Sequence, residues 1–439
     1  MSTKPSDRPR PPSVDAVVNA ARAVMDDERA RLGAGDVARS TDALGMEVAA
    51  RIEAFADAGP IPVINATGVI VHTNLGRAPW AAEVAASTAA LAGRYLLLEL
   101  DRETGRRGAR VRTAEEHLIA LTGAEDALVT NNNAAALALA VGLAGRGGVV
   151  VSRGELVEIG GGVRIPEIIR RAGAKLIEVG TTNRTRAADF EGPLAEGRAK
   201  AVLRVHPSNF SMTGFTETPD PAGVAEIAHR HGAIVIDDLG SGALIDTAAF
   251  GLAHEPLPGE RLVAGSDIVT FSGDKLVGGP QAGLVVGRAD LVARMRRDPL
   301  ARAMRPDKAT LAAVALTLGL YRSGRAVEAI PVWRMIATPA ATLRERAESL
   351  AGSLGSRAAV VGLRSTVGGG SLPGETLASF GIALEARSAN GLLAALRRGG
   401  PAVIGRIEAD RVVLDLRTVE PEAHGALGSA IARALAGRA

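Results

Sequence analysis

Lys275 stands at the bend of the stretch 267–287, DIVTFSGDKLVGGPQAGLVVG, between apolar runs at 268–271 and 284–286. The pattern predicts a strand, a tight glycine-rich loop and a second strand. With 5 lysines against 46 arginines in the chain, a lysine between two buried strands is not explained by generic surface charge. An ammonium on a flexible stem can be deprotonated by its surroundings and form a Schiff base, which a guanidinium cannot do. Ser272, three residues earlier, can offer a hydroxyl to a phosphate, and the glycines let backbone approach a flat ring closely. Taken alone, the stretch fits a lysine snorkelling from a glycine-rich hairpin equally well.

The elements that would position this lysine are legible on either side. Short apolar runs at 127–130, 148–152, 175–179, 201–206, 233–237, 267–271 and 284–286 alternate with helical stretches at 134–144, 165–172 and 221–231. Strands alternating with helices imply an α/β class with a mainly parallel sheet covered on both faces. Ligands of such sheets bind beyond the carboxyl ends of the strands. After the first run come Asn131, Asn132, Asn133 and Ala134, opening a helix whose free N–H groups suit a phosphate; a plain asparagine cap is the alternative. Ser208 and Asn209 follow the fourth run. At the end of the fifth stand Asp237 and Asp238, and an acid there can keep a pyridinium nitrogen protonated and make the ring an electron sink. Asp238 is the choice and Asp237 the fallback. Phosphate loop, ring acid and lysine, in that order and each after a predicted strand, point to pyridoxal 5′-phosphate.

Composition narrows the rest. The chain has no cysteine, which removes disulfides, thiolate nucleophiles and Cys-based metal sites. Its 7 histidines lack metal-ligand spacing, so no metal is expected, and His229 and His231 read as a helix end. No apolar run approaches the roughly 20 residues that span a bilayer, and the start lacks a signal-peptide core, so a cytoplasmic protein is expected. Residues 1–60 form a separate helical unit, with helices starting near Val14 and over 41–56; its 8 basic and 10 acidic residues do not nominate a nucleic-acid binder by charge. Arg77 closes a polar segment at 72–77 and could clamp an anion. The loop 101–110, with Arg106, Arg107 and Arg110, is either solvated or tracks a phosphate backbone. A helix at 311–321 leads into a smaller α+β region with strands at 358–361, 403–407 and 412–416.

With these residues in place, the chain closely resembles bacterial selenocysteine synthase, the L-seryl-tRNA(Sec) selenium transferases, nearly end to end. The strings that carry the resemblance include INATGVIVHTNLGRA (64–78), TNNNAAA (130–136), SRGELVEIGGGVRIP (152–166), GTTNRT (180–185), HPSNF (206–210), DLGSG (238–242), SGDKLVGGPQAG (272–283), and near the end VGGGSLPG, VIGRI and LDLRT. Pro11 stands where leucine is usual and Gly162 where serine is expected.

The resemblance implies a fold-type I pyridoxal phosphate transferase in three parts: a tRNA-binding helical domain (1–60), a catalytic core (61–323) and a small α+β domain (324–439). It implies that Lys275 carries the cofactor as the internal aldimine and that Asp238 pairs with the ring nitrogen. Asn131, Asn132, Asn133 and Ala134 with Ser272 would hold the phosphate, and Asn209 would join the cofactor contacts. Arg77, Arg302 and Arg305 would bind selenophosphate. The i, i+3 spacing of the last two would set both guanidiniums on one helical face, where without the family a solvated basic stripe is the better reading. The implied activity converts L-seryl-tRNA(Sec) to L-selenocysteinyl-tRNA(Sec) through an aminoacrylyl ester, in selenoprotein biosynthesis. The implied assembly is a homo-oligomeric ring of dimers, a decamer. Two alternatives stand beside it: a lyase acting on small amino-sugar acids, as in shorter relatives, and a non-catalytic RNA-binding scaffold.

Overall fold

A computed structural model describes residues 14–56, 59–107, 112–159 and 162–436. Pro11 and Arg110 lie outside them. The chain divides into two compact units, residues 1–63 and 64–439.

In the first unit, helices Val14–Gly33 and Thr41–Ala56 each carry an aspartate in the first turn, Asp15 and Asp42, which complements the positive end of the helix dipole. Glu28 is buried and accepts from the Arg39 backbone N at 2.7 Å, from Arg39 Nε at 2.5 Å and from Arg31 Nη1 at 3.1 Å. These bonds pin the connector between the helices to the first of them.

The second unit is built on a seven-stranded sheet in the order Asp126–Thr130, Gly283–Gly287, Ile268–Ser272, Ile234–Gly240, Ala199–Val205, Gly148–Ser152, Lys175–Val179. Gly283–Gly287 runs antiparallel to both neighbours, and the remaining pairings are parallel. Each of the seven apolar runs read from sequence is a strand of this sheet. Helices Asn133–Gly142 and Ile165–Arg171 cover one face with Leu137, Leu139, Ile165 and Ile169, while Pro221–Arg230 covers the other with Val224 and Ala228. His229 lies in that helix's last turn and His231 caps it. Among the described residues, no helix is long and apolar enough to cross a membrane.

A second sheet orders Arg406–Glu408, Arg411–Asp415, Thr376–Leu384, Ala358–Gly368 and Val69–Val71. The expected strand at 403–407 is two strands, Ala402–Ile404 and Arg406–Glu408, broken at Gly405, where a Cβ would come within 2.4 Å of Leu414 Cδ2. Thr376–Leu384 escaped the sequence reading because a polar residue faces inward: Ser379 is buried and donates to Asp415 Oδ1 at 2.6 Å, which blurs the two-residue period. Val69–Val71 pairs in parallel with Ala358–Gly368, Thr366 opposite Val69 and Gly368 opposite Val71. This pairing sets residues 72–77 beside Gly369 and Gly370.

Candidate active site

A cleft of about 410 Å³ opens at the carboxyl ends of the central strands. Its walls include Thr73, Arg77, Asn132, Asn133, Ala134, His206, Ser208, Asn209, Asp238, Ser272, Lys275, Gln281, Gly369 and Gly370.

Lys275 follows the strand Ile268–Ser272 and is only 8% exposed. Its Nζ donates to the Gly370 carbonyl at 3.4 Å. Burial pushes the amine below its ordinary value of 10.5; Asp238 opposes that shift and the Arg77 guanidinium adds to it. The loop holding Lys275 is braced from below. Leu276 N donates to Ser241 O at 3.1 Å, and the Tyr321 hydroxyl reaches the carbonyls of Leu276 and Val277 at 3.0 and 2.9 Å. Trp333 Nε1 in turn donates to the Tyr321 oxygen at 2.6 Å.

Asp238 lies on the neighbouring strand, 2% exposed, in register with Thr270. Its Oδ1 accepts from Thr270 Oγ1 at 3.0 Å and from Asn133 Nδ2 at 2.8 Å. Burial pushes this carboxyl up from its ordinary value, against the pull of those two bonds and of Lys275. Because side chains alternate along a strand, Asp237 points to the other face. There it meets Ser266 Oγ at 3.5 Å and Arg261 Nε at 3.7 Å, away from the cleft walls. Sheet geometry therefore separates two acids that stand next to each other in sequence.

The three asparagines divide into three tasks. Asn131 turns out of the cleft, its backbone N donating to Met304 O at 2.9 Å. Asn132 caps the helix Asn133–Gly142, its side chain accepting from Ala135 N at 2.9 Å. The Asn133 side chain is committed to Asp238, so at this turn Asn133 and Ala134 offer the cleft backbone N–H groups of the first helical residues. Ser272 lines the cleft at its strand end, and Asn209 lines it with Nδ2 donating to Glu158 O at 3.0 Å.

Arg77 is brought in by the crossing strand and donates to Asp274. Arg302 and Arg305 differ from expectation. The helix Pro299–Ala303 holds only the first, and Met304 ends it. Arg305 precedes Pro306, whose ring disfavours a helical residue before it. Arg305 pairs instead with Glu99 at 3.2 Å, and neither arginine lines the cleft. One shared helical face for the pair is therefore not formed.

Sequence reasoning passed over several cleft residues: Thr73, His206, Gln281, Gly369 and Gly370. His206 reads as the last residue of the run 201–206, but the strand ends at Val205, so His206 is the first residue past it, and its Nε2 lies 3.2 Å from Oε1 of the buried Glu255. Gly370 reaches the lysine only through the second sheet, which no local pattern announces.

A lysine and an acid on adjacent strand ends of an open, mainly parallel sheet define the class: this is the fold-type I architecture of pyridoxal phosphate enzymes. The structure of a D-glucosaminate-6-phosphate ammonia-lyase shares the fold, with a TM-score of 0.62 at 22% identity over 88% of this chain and 98% of that one. A family model described as "SelA: L-seryl-tRNA selenium transferase" matches residues 63–420. The L-seryl-tRNA(Sec) selenium transferase of Moorella thermoacetica is 46% identical over 428 residues, 95% of this chain and 91% of that protein. That of Carboxydothermus hydrogenoformans is 47% identical over 368 residues, 82% of this chain and 79% of that protein. The chain belongs to the L-seryl-tRNA selenium transferase family.

Proposed function

We propose that this protein converts L-seryl-tRNA(Sec) to L-selenocysteinyl-tRNA(Sec) in the cytoplasm, with selenophosphate as the selenium donor and pyridoxal 5′-phosphate as cofactor. The observation that carries this reading is the convergence of buried Lys275 and buried Asp238 on one cleft in a member of this family.

The cleft suits the cofactor. A buried amine whose charge is disfavoured, an acid with its second oxygen uncommitted and a helix opening with free N–H groups match an aldehyde, a ring nitrogen and a phosphate. In this reading Lys275 holds the aldehyde carbon, Asp238 the ring nitrogen, and the backbone at Asn133 and Ala134 with Ser272 the phosphate. Asn209 completes the contacts. Once bound, the cofactor supplies an electron-poor ring that stabilises negative charge on the substrate's α-carbon. Lys275 Nζ would serve as the base for the seryl α-proton, a task for an amine with a lowered pKa. Arg77 holds selenophosphate from the cleft wall. Arg302 and Arg305 belong to the same anion site in a homo-oligomer, a ring of dimers, which agrees with their lying outside the cleft of a single chain.

Residues 1–60 are the tRNA-reading module, 61–323 the catalytic core and 324–439 the small domain. The acidic balance of the first module favours recognition of tRNA shape over a plain electrostatic grip. Purified protein given seryl-tRNA(Sec) and selenophosphate is expected to yield selenocysteinyl-tRNA(Sec). Elimination from amino-sugar acids with no response to tRNA would replace this reading with the lyase one.

A further inference from the structure

We propose that Asn133 and Thr270 are positioning residues that grip Asp238 by one carboxylate oxygen, so that the other alone is presented to the cofactor's ring nitrogen. The proposal rests on the reading of Asp238 as the ring acid.

The geometry is one-sided. Both donors end on Oδ1, at 2.8 Å from Asn133 Nδ2 and 3.0 Å from Thr270 Oγ1, and among the described residues no hydrogen bond reaches Oδ2. Two separate features of the fold create this grip. Parallel register sets Thr270 across from Asp238, and just beyond this pair the register shifts, so Phe271 faces Gly240. Asn133 arrives from the first turn of the helix Asn133–Gly142.

The grip also has a cost. A carboxylate can only accept, so the Asn133 amide must present Nδ2 to it. Asn133 Oδ1 is thereby left buried with no partner among the described residues. An orphaned buried acceptor is unfavourable, so this amide is not placed for stability alone.

What the donors provide is a fixed charge in a dry place. Burial favours the neutral acid, and the two donated bonds favour the carboxylate. The charged groups acting on Asp238 are Lys275, which also favours the carboxylate, and Asp237 behind it, which opposes it. His206 donates its backbone N to the Asp238 carbonyl at 2.9 Å, outside the carboxyl group.

The test uses the full-length holoenzyme with ring-nitrogen-labelled pyridoxal 5′-phosphate. The variants are Asn133→Ala, Thr270→Val, the pair combined, Thr270→Ser and Asp238→Asn. The readouts are the ¹⁵N shift of the ring nitrogen against pH and borohydride trapping of the cofactor on Lys275. In the double variant the ring nitrogen is expected to lose its proton at a lower pH while trapping persists. kcat is expected to fall about tenfold or more, in line with hydrogen bonds to a charged group, with the KM for seryl-tRNA unchanged. Thr270→Ser keeps the hydroxyl and should behave as the parent; if it shifts the ring nitrogen as Thr270→Val does, the hydroxyl is not the cause and the proposal fails. A double variant with parental ring protonation also overturns it, provided Asp238→Asn moves the signal. If Asp238→Asn leaves the signal in place as well, the reading of Asp238 itself is wrong.

Discussion

Arg77 donates from Nη1 to Oδ2 of Asp274 at 2.5 Å, and Asp274 is the residue directly before Lys275. A backbone bond from Ala78 N to Asp274 O at 3.2 Å runs beside it. Arg77 and Lys275 are thus linked through Asp274. The amine, not the ammonium, captures an aldehyde, and both burial and Arg77 favour the amine. Capture of pyridoxal 5′-phosphate by the apoprotein is therefore expected to speed up with pH and level off below the ordinary lysine value of 10.5. In Arg77→Ala the plateau moves to higher pH. Stopped-flow absorbance measures it, and an unmoved plateau would count against this coupling.

Replacing Lys275 by Ala should remove the visible cofactor band and lower turnover by roughly 10²–10⁴-fold or more, the range for a lost general base. Turnover close to the parent's, measured by selenocysteinyl-tRNA formation, would refute the assignment.

Gly370 has φ +79, and a Cβ there would lie 2.5 Å from Lys275 Nζ and 2.9 Å from its Cε. Gly370→Ala must therefore move the lysine as well as adopt a left-handed backbone, which costs about 1–2 kcal/mol. The expected result is a folded protein with weaker cofactor retention on dialysis. Parental retention would show that the lysine has room to spare.

Tyr321 is partly buried, and desolvation pushes its phenol well above the ordinary value, so it acts purely as a neutral donor and acceptor. Tyr321→Phe removes both bonds to the lysine loop and strands Trp333 Nε1. Loss of about 1–3 kcal/mol in stability is expected from an unsatisfied buried partner. Denaturant unfolding of parent and variant measures the difference.

Deleting residues 1–60 should abolish binding of tRNA(Sec) in a filter assay and leave the cofactor spectrum as it was. Equal tRNA affinity before and after the deletion would remove the module from the mechanism.

The central sheet was legible because its strands are continuous apolar runs, and the rule that ligands bind past strand ends led directly to Asp238 and Lys275. The choice between Asp237 and Asp238 was harder, since only the alternation of a formed strand turns one into the cleft and the other away. Asn133 was read as part of a phosphate loop. Its side chain goes to Asp238 because one helix and two strands far apart in sequence meet there. The pairing of Arg302 with Arg305 failed on a local signal that was present: Pro306 ends helical geometry just where the spacing argument needed it. The LDLRT string has a structural task, since buried Arg417 donates to the carbonyls of Met335, Thr338 and Ala378.

Val69–Val71 finds its partner strand only after Ala358–Gly368 has been made, and Gly370 follows that strand. On the ribosome, the chain's first cleft residues must wait for nearly its last. Lys275 and Asp238 emerge well before the wall that closes over them. A polypeptide ending before Gly370 cannot offer Lys275 this carbonyl.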